Sequence, residues 1–529
     1  MKNIIKKLLK EAVKKTYPDQ DFSSLLEIQN VTAKNIQADY FTNISMKLAK
    51  ILKTNPIEIA DKIIGNMNNI DDIKFNIVKP GYINFSVGDG KKNNIISIIN
   101  KSENLLSDCK TADPKKINIE FISANPTGPL HVGHGRGAIY GNIISKFLKI
   151  QGHHTVKEYY VNDYGNQIKK LIESILSKID GYYIKVKEDD LYQGDYIETV
   201  AKTIEEEIKK KDIKDFNAQR SIILDEMFKI INVPINNLNI IFDKWFYESS
   251  LFDENLVEKV IKKLEATEHT FRDDGALMLK ADEPRVLIKS NGDYTYFATD
   301  LAYHDLKMKD YDRIIDVWGA DHHGYVPRIK AGLRALGHNI DKLDVHLIQF
   351  ANLFRDGKKV SMSTRKGDFV ELENLRNEIG NDAINFFYLT KNKDQHLDFD
   401  LSIAISQNKN NPVYYIQYAY ARIEKILNEV KDYHKEEYDL SSLDNIYEKD
   451  IITTLSNFHE TIKKSIIGLQ PHLVTNYLLK LSQDFHSYYA NVKILNKDIN
   501  YSQVHLIAAV QKVIKCGLDL INIDTPKEM

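Results

Sequence analysis

Residues 116–148 constrain the fold of this chain more than any other part of its sequence. Residues 116–122, KINIEFI, have the alternation and β-branched content of a strand, and a loop rich in Pro and Gly follows them. Residues 137–148 then show the apolar spacing of a helix. A strand, a Gly-rich loop and a helix in this order are typical of the first unit of a nucleotide-binding α/β domain.

Two further strands extend this α/β pattern. Residues 314–318, IIDVW, lead into the segment GADHHG and a helix, and residues 345–350, VHLIQF, form the third strand. Between the first and second units, residues from about 165 to 265 are charged and have helical spacing. The sequence therefore predicts an α/β domain that carries a helical insertion.

The flanking regions differ from this centre. Before residue 110, helical patterns at 4–16, at 44–52 and after Pro56 precede alternating runs at 73–78 and 82–87, which indicates an α+β module. After about residue 401 only helical patterns remain, which predicts an all-α domain. We place the boundaries at 1–112, 113–400 and 401–529.

Composition excludes several classes of protein. The 529 residues contain no apolar run of about 20, so no membrane span is expected, and the start lacks the pattern of a signal peptide. The two cysteines, Cys109 and Cys516, are too far apart in sequence for a disulfide framework or a Cys-based zinc site. We expect a cytoplasmic enzyme without bound zinc and, because no dimer seam is apparent, a monomer.

Charge is unevenly distributed along the chain. Residues 1–110 contain 17 Lys, no Arg and 12 acidic residues, whereas residues 400–529 contain 14 basic and 16 acidic residues. The N-terminal module therefore has the more favourable charge for contact with phosphates. Charge alone does not separate this interpretation from simple solvation of the surface.

His131 and His134 lie where the Gly-rich loop enters the first helix. The free N–H groups at a helix N-terminus attract phosphate, and two imidazoles three residues apart share one helical face. Gly133 between them leaves room for a nucleotide to approach the main chain. The alternative is a metal-binding or structural pair of histidines, since His-x-x-His alone is a weak signal.

The surrounding residues, SANPTGPLHVGH at 123–134, closely resemble the signature of class I aminoacyl-tRNA synthetases in its arginyl form. The resemblance covers nearly the whole chain, through YVNDYGNQ at 160–167, WGADHHGY at 318–325, LDFD at 397–400 and NPVYYIQYA at 411–419. Even the terminal residues 526–529 resemble the family's usual end, so we expect a complete chain. The resemblance implies a Rossmann-like catalytic domain, an N-terminal module that contacts the tRNA elbow and a helical anticodon-binding domain.

The resemblance also implies roles for particular residues. His131 and His134 would stabilise the ATP phosphates, and Asp321 would suit a ribose hydroxyl, although capping a helix is an equally good role for it. The residues implied in binding ATP, with Mg²⁺ in the substrate complex, are Pro126, Gly128, His131, Gly133, His134, Gly319, Asp321, His322, Met362 and Ser363.

The chain departs from the family pattern at the second signature loop, near 358–367. Thr364 stands where the common form has a lysine that neutralises the leaving pyrophosphate. Nearby cations are Lys358, Lys359, Arg365 and Lys366, and we nominate Lys359 and Arg365 as catalytic replacements. The alternative is a solvated basic loop.

By the same resemblance, L-arginine would be bound by Asn125, Glu248, Tyr296 and Asp300. A guanidinium carries five N–H donors and requires carboxylates placed for fork-like hydrogen bonds. Tyr296 and Asp300 are four residues apart and share a face if that segment is helical. Each carboxylate alone has surface solvation as its alternative.

The tRNA(Arg) contacts are predicted at Tyr414, Tyr418 and Met529. Aromatic rings stack on unpaired bases, but packing in the core is the alternative for most tyrosines here. The resemblance further implies that tRNA binds before arginine is activated. The sequence thus predicts ligation of arginine to tRNA(Arg) through an arginyl-adenylate. Two alternatives are another class I enzyme, such as a cysteinyl one, and a catalytically silent tRNA-binding paralogue.

Overall fold

A computed structural model of the chain describes residues 2–31, 38–70, 72–182, 190–210, 214–281, 283–360, 370–430, 432–435 and 438–529. In the N-terminal module, the elements in chain order are α1 (Lys2–Thr16), β1 (Gln29–Asn30), β2 (Tyr40–Thr42), α2 (Ile44–Leu52), α3 (Pro56–Gly65), β3 (Ile73–Val78) and β4 (Tyr82–Val87). The strands form an antiparallel sheet in the order β1-β2-β4-β3. The predicted helix at 44–52 and the predicted strands at 73–78 and 82–87 are confirmed.

The N-terminal module has a core of its own. Ile5 and Leu9 of α1, Leu48 of α2 and Phe85 of β4 are fully buried in one cluster that extends from Ile5 to Val87. These are the positions that the apolar spacing assigned to inward faces.

The central domain is built around a parallel sheet. Its elements in chain order are α4 (Asp89–Lys101), β5 (Lys116–Glu120), α5 (Val132–Ile150), β6 (His154–Val161), α6 (Asn166–Leu176), α7 (Asp195–Lys210), α8 (Phe216–Asn237), β7 (Lys244–Tyr247), α9 (Ser249–Asp253), α10 (Leu256–Glu265), β8 (Thr270–Asp273), β9 (Ala276–Leu279), β10 (Arg285–Ile288), α11 (Tyr296–Asp310), β11 (Arg313–Gly319), α12 (Val326–Ala335), β12 (Leu343–Ile348), β13 (Ala351–Arg355), β14 (Lys358–Lys359), α13 (Leu372–Tyr388) and β15 (Leu397–Asp400).

The strand order of the main sheet is β12-β11-β5-β6-β7. The three predicted strands are β5, β11 and β12, and β5 lies at the centre because both neighbours pair with it in parallel. Helix α5 approaches β5 closely, since a Cβ on Gly141 would lie 2.4 Å from Cγ of Phe121. The carboxyl ends of these strands face one edge, where open α/β sheets bind their ligands.

The insertion differs from the prediction in its second half. Helices α6, α7 and α8 pack together around their own buried apolar residues, as expected of a helical insertion. However, Lys244–Tyr247 is not helical but forms β7, the edge strand beside β6. A four-residue edge strand is stabilised mainly by pairing with its neighbour, which the local sequence pattern does not reveal.

The C-terminal domain is helical, as predicted. Its elements are α14 (Leu401–Ile405), α15 (Pro412–Glu429), α16 (Ile446–Ser456), α17 (Phe458–Ile467), α18 (His472–Asn491) and α19 (Tyr501–Leu520). Helix α4, which the predicted boundary places in the N-terminal module, packs against α16 and α19. In the described part of the chain no helix has both the length and the apolar character needed to cross a membrane.

Candidate active site

The loop after β5 leaves the sheet through two residues in the left-handed backbone region. Ile122 has a φ of 68° and Ser123 a φ of 42°, angles at which a β-branched side chain crowds the main chain. Strain of about 1–3 kcal/mol per residue persists only where contacts hold it. Ser123 Oγ donates to Glu120 Oε1 at 3.0 Å and accepts from the main-chain N–H of Tyr160 at 3.1 Å. Asn125 follows this turn with its side chain exposed.

The helical insertion holds the same loop from the other side. The hydroxyl of Tyr196, on α7, donates to the Thr127 carbonyl at 2.7 Å. A Cβ on Gly128 would lie 3.7 Å from the Tyr196 ring, and Pro126 is buried. Tyr196 could not be predicted from the sequence, because the contact joins residues about 70 positions apart and leaves no local signal.

The two histidines form the N-terminal cap of α5. His131 Nδ1 accepts from the Gly133 N–H at 3.1 Å, and the His131 N–H donates to His134 Nδ1 at 3.2 Å. Each Nδ1 is therefore an acceptor, which places the proton of each neutral ring on Nε2. The ring centroids are 3.9 Å apart, so the pair presents two neighbouring Nε2–H donors at a helix N-terminus.

Both imidazoles are neutral at physiological pH. Burial lowers the pKa of His131. Burial and the neighbouring His131 ring together lower the pKa of His134 to about 3. Protonation would also set an Nδ1–H against a main-chain N–H. The pair can thus stabilise developing negative charge by hydrogen bonds rather than as a fixed positive charge.

The far end of the second signature loop lies beside the first signature. The strand that leads into the second loop, β14, pairs with β13, and its residue Lys359 is exposed. On the far side, Val132 N–H donates to the Val370 carbonyl at 3.0 Å and Leu372 N–H donates to the Leu130 carbonyl at 2.8 Å. The root of the loop is therefore fixed to the main chain around His131.

Several predicted residues fall within the loop itself. Met362, Ser363, Thr364, Arg365 and Lys366 lie outside the described residues.

The predicted nucleotide residues of the second unit follow β11. Asp321 and His322 lie in a 3₁₀ turn, Ala320–Gly324, with largely exposed side chains. A Cβ on Gly319 would lie 2.4 Å from Asp321 Oδ1, so only glycine leaves room for this carboxylate. Phe350, which the sequence analysis did not identify, lies next to Gly319 and is 49% exposed. The Asp321 side chain does not cap this turn.

Two carboxylates from different elements form the predicted arginine side of the cleft. Glu248 follows β7 and is buried, and Asp300 lies in the first turns of α11. Asn162 donates to Glu248 Oε2 at 2.9 Å in the amide orientation that satisfies both of its side-chain atoms. The Tyr325 hydroxyl donates to Asp300 Oδ2.

These carboxylates are destabilised in their charged forms. Burial and the charge of Asp300 raise the pKa of Glu248 to about 7. Burial raises the pKa of Asp300 to about 6, against the lowering effect of the Tyr325 hydrogen bond. In the described part of the chain neither carboxylate forms an ion pair with Lys or Arg. A bound cation would relieve both penalties.

A cavity of about 720 Å³ opens beside these groups. Glu248 and Tyr296 line it, as do Tyr164, Phe252 and Thr299. Tyr296 is 60% exposed, whereas Asp300 is half-buried and is not among the residues that line the cavity. The segment is helical, as required for Tyr296 and Asp300 to share a face, but the two side chains differ in depth.

A row of charged residues crosses the sheet beneath the cleft. Asp316 pairs in register with Glu120, Glu120 with Glu158, and Glu158 with Lys244. Lys307 of α11 lies over the row, with Nζ at 2.8 Å from Glu120 Oε2 and 2.7 Å from Asp316 Oδ1. Three adjacent buried carboxylates are tolerated only with such paired cations.

This charged row joins the two halves of the site. Glu120 supports the strained turn after β5, and His304 connects Asp316 to α11. His304 Nε2 lies 2.9 Å from Asp316 Oδ2, and its Nδ1 lies 2.7 Å from the Asp300 carbonyl oxygen. This network was not predicted from the sequence, although acidic residues inside apolar strand patterns, such as Glu120 and Asp316, were a visible signal.

The predicted tRNA residues lie on the C-terminal domain. Tyr414 and Tyr418 on α15 are stacked, with ring centroids 5.9 Å apart. The Arg422 guanidinium lies 4.4 Å from the Tyr418 ring centroid and 4.3 Å from that of Tyr489 on α18. Met529 is 48% exposed. The three tyrosines and Arg422 form a half-exposed aromatic and cationic surface rather than a buried core.

No group of three or more His, Cys, Asp or Glu side chains among the described residues is arranged to hold a metal ion.

Three family models match successive parts of the chain. Residues 3–87 match the arginyl tRNA synthetase N-terminal domain, residues 94–433 match the catalytic domain of class I tRNA synthetases of the arginyl type, and residues 416–529 match the DALR anticodon binding domain.

Known arginine–tRNA ligases match the chain over its full length. The chain is 36% identical to the arginine–tRNA ligase of Vesicomyosocius okutanii subsp. Calyptogena okutanii over all of both chains, and 37% identical to that of Coxiella burnetii strain RSA 331. Its fold matches the solved arginyl-tRNA synthetase of Thermus thermophilus with a TM-score of 0.78 at 20% identity, over all of both chains.

Proposed function

The chain belongs to the arginyl-tRNA synthetase family, and on this premise we propose how its residues carry out the reaction. The protein is an enzyme that ligates arginine to tRNA with ATP as a substrate. This excludes another class I synthetase, such as a cysteinyl one. The proposal concerns the course of the reaction, the residue roles, the compartment and the oligomeric state.

The first step is attack of the arginine carboxylate on the α-phosphate of ATP, with pyrophosphate leaving and arginyl-adenylate forming. His131 and His134 donate their Nε2–H groups to phosphate oxygens, which stabilises the charge that develops there. The N-terminus of α5 adds the favourable end of the helix dipole. Mg²⁺ accompanies ATP as part of the substrate. A hydroxyl of the terminal ribose of tRNA(Arg) then attacks the carbonyl carbon of the adenylate, which forms the arginyl ester and releases AMP.

The remaining nucleotide contacts come from the turn after β11 and from the two signature loops. Asp321 binds a ribose hydroxyl, and Gly319 and His322 border the same position. Pro126, Gly128 and Gly133 shape the loop over the phosphates, and Met362 and Ser363 of the second loop also bind the nucleotide.

Arginine is held by the paired carboxylates. Glu248 and Asp300 accept hydrogen bonds from the guanidinium, Tyr296 lies along the side chain, and Asn125 contacts the main-chain atoms of the substrate. The observation that carries this proposal is the pair of buried or half-buried carboxylates, each with a raised pKa and neither paired with a lysine or arginine among the described residues. Such a site favours a diffusible cation and penalises neutral side chains.

Lys359 or Arg365 replaces the lysine that the second loop lacks at Thr364. Alanine at both positions removes the cation nearest the leaving pyrophosphate, so we expect kcat for pyrophosphate exchange to fall by roughly 10²-fold or more. Exchange at the wild-type rate in the double variant would rule out this replacement.

We further propose that Tyr414, Tyr418 and Met529 contact the anticodon region of tRNA(Arg). Half-exposed aromatic rings next to Arg422 suit unpaired bases. The enzyme acts as a monomer in the cytoplasm. Sedimentation at working concentration tests the monomer, and a dimer would contradict it.

ATP–pyrophosphate exchange tests the proposed course of the reaction. The assay uses each amino acid in turn, with and without tRNA(Arg). We expect exchange with arginine in the presence of tRNA, and charging of the same tRNA under those conditions. Exchange with another amino acid would contradict the assignment of the pocket. Silence with every amino acid would instead favour the tRNA-binding paralogue.

A further inference from the structure

Tyr325 connects the nucleotide side of the cleft to the arginine side. It immediately follows the 3₁₀ turn Ala320–Gly324 and directly precedes α12. Its hydroxyl donates to Asp300 Oδ2. One residue at the end of the turn that carries Asp321 thus holds a carboxylate of the other substrate's site.

The Tyr325 ring is fixed by packing. Its centroid lies 6.3 Å from that of Phe297, in an edge-on arrangement, and 6.0 Å from that of Trp318. Phe297 belongs to α11 and Trp318 to β11, so the ring is held by two elements that flank the cleft. A ring restrained in this way delivers its hydroxyl to one place.

The close approach of α12 to α11 makes the contact possible. A Cβ on Gly332 would lie 2.3 Å from Cδ2 of Leu301, so any larger residue would push the helices apart. Both Leu301 and Gly332 are fully buried or nearly so. The distance between the helices therefore depends on glycine at 332, and the reach of Tyr325 depends on that distance.

We infer that Tyr325 is a positioning residue that fixes the Asp300 carboxylate for the guanidinium of arginine. This inference rests on the proposed role of Asp300. The hydrogen bond uses one lone pair of Oδ2 and restricts rotation of the carboxylate, so that the remaining lone pairs are aimed before arginine arrives. A group held in advance loses less conformational entropy on binding.

Titratable side chains from several elements surround the Asp300 carboxyl and affect its pKa. His304 lies on its own helix, Glu120 and Asp316 extend from β5 and β11, and Tyr325 comes from the turn. Glu248, in the segment after β7, is also close, because the charge of Asp300 raises the pKa of Glu248. The Tyr325 hydrogen bond lowers the pKa of Asp300. Its removal would therefore raise that pKa and leave more of the carboxyl protonated near neutral pH.

Replacement of Tyr325 by phenylalanine tests the inference in the full chain with tRNA(Arg) present. We expect the KM for arginine to rise about tenfold, as for loss of a hydrogen bond to a charged group. The kcat and the KM for ATP should change less than about twofold. The ratio of the arginine KM of the variant to that of wild type should fall as pH rises from 6.5 to 8.5, because Asp300 becomes fully ionised in both proteins.

Tyr311→Phe provides the matched control. Tyr311 is a buried tyrosine in the same apolar cluster, at the end of α11, and its loss should leave the arginine KM and its pH dependence unchanged. A rise in the KM for ATP equal to that for arginine in Tyr325→Phe would overturn the inference, as would an arginine KM ratio independent of pH.

A double variant separates positioning from direct binding. In the Asp300→Asn background, Tyr325→Phe should add less than about twofold to the arginine KM, because the two residues act through one contact. A multiplicative effect would show that Tyr325 acts independently of Asp300, contrary to the inference. Failure of the proposed function itself would appear differently, as a wild-type enzyme without arginine-dependent activity.

Discussion

At the scale of single residues, the site combines neutral imidazole hydrogen-bond donors with carboxylates whose ionised forms are disfavoured by burial. His131 and His134 are held neutral by burial and by the main-chain N–H groups on their Nδ1 atoms. Burial raises the pKa of Glu248 to about 7 and that of Asp300 to about 6, so both carboxyls titrate close to neutral pH. Burial thus keeps the histidines neutral, as suits hydrogen-bond donors to phosphate, and it leaves the carboxylates with a desolvation penalty that a bound guanidinium would relieve.

The carboxylates predict the pH dependence of arginine binding. In the proposed pocket arginine binds the ionised carboxylates, so protonation of Glu248 near pH 7 and of Asp300 near pH 6 would oppose binding. The arginine KM should therefore rise as pH falls from 8 to 6. Glu248→Gln should raise the KM for arginine by roughly 10²-fold at pH 8 with little effect on that for ATP, and should remove the part of the pH dependence near 7. Initial-rate kinetics of tRNA charging across this range provide the measurement.

Glu254→Gln is the matched control for this change. It makes the same chemical substitution on an exposed residue at the end of α9, and should leave both Michaelis constants unchanged. Equal increases in the constants for arginine and ATP in Glu248→Gln would contradict its assignment to the arginine pocket.

At the scale of secondary-structure elements, the start of α5 is part of the site. The two histidine side chains that cap the helix are also the proposed hydrogen-bond donors to the phosphates, so the helix fixes their geometry. Gly133 is essential to this arrangement, because a Cβ there would lie 2.8 Å from Cε1 of His131. A displacement of the His131 ring would move its Nε2–H away from the nucleotide.

Gly133→Ala should therefore reduce kcat for pyrophosphate exchange by roughly tenfold to 10²-fold, since small misplacements of catalytic groups are costly. Gly137→Ala is the control in the same helix, because its Cβ would make only an ordinary contact of 3.9 Å with Val317. That variant should keep its activity and gain up to about 1 kcal/mol in stability from the better helix former. Full activity in Gly133→Ala would show that the His131 ring is not constrained as described.

At the scale of the whole molecule, α5 also ties the catalytic domain to the C-terminal helices. Arg136 donates to the carbonyls of Gln349, Asn392 and Gln395 at 2.7–2.8 Å. Farther along the helix, the Tyr140 hydroxyl donates to the Leu469 carbonyl at 3.1 Å. The helix that begins with the histidine pair is therefore in direct contact with the domain proposed to bind the anticodon.

Arg136→Met should destabilise the protein by about 3 kcal/mol, because it leaves several partly buried carbonyls without donors. Thermal unfolding of the variant should begin at a lower temperature than that of wild type. Arg334→Met, an exposed position in the last turn of α12, should change stability by less than about 0.5 kcal/mol. A wild-type melting temperature in Arg136→Met would show that the buried guanidinium is dispensable.

Much of this organisation could be predicted from the sequence. Apolar spacing placed the helix at 44–52, the strands at 73–78 and 82–87, and the three strands of the main sheet, since these patterns follow from which faces are buried. The start of α5 was set five residues too late. Its first turn, HVGHG, has no apolar stripe, and the histidines that cap it do not resemble common N-cap residues.

The sequence by itself determined the family, the order of the domains and the histidine pair, because each is expressed in contiguous residues. Only the tertiary structure decided that Lys244–Tyr247 pairs with β6, that Tyr196 holds the loop before His131 and that Tyr325 reaches Asp300. It also brought Asp316, Glu120, Glu158 and Lys244 into one row across four strands. These contacts join residues far apart in the chain, and their stability depends on packing and burial that no local pattern encodes.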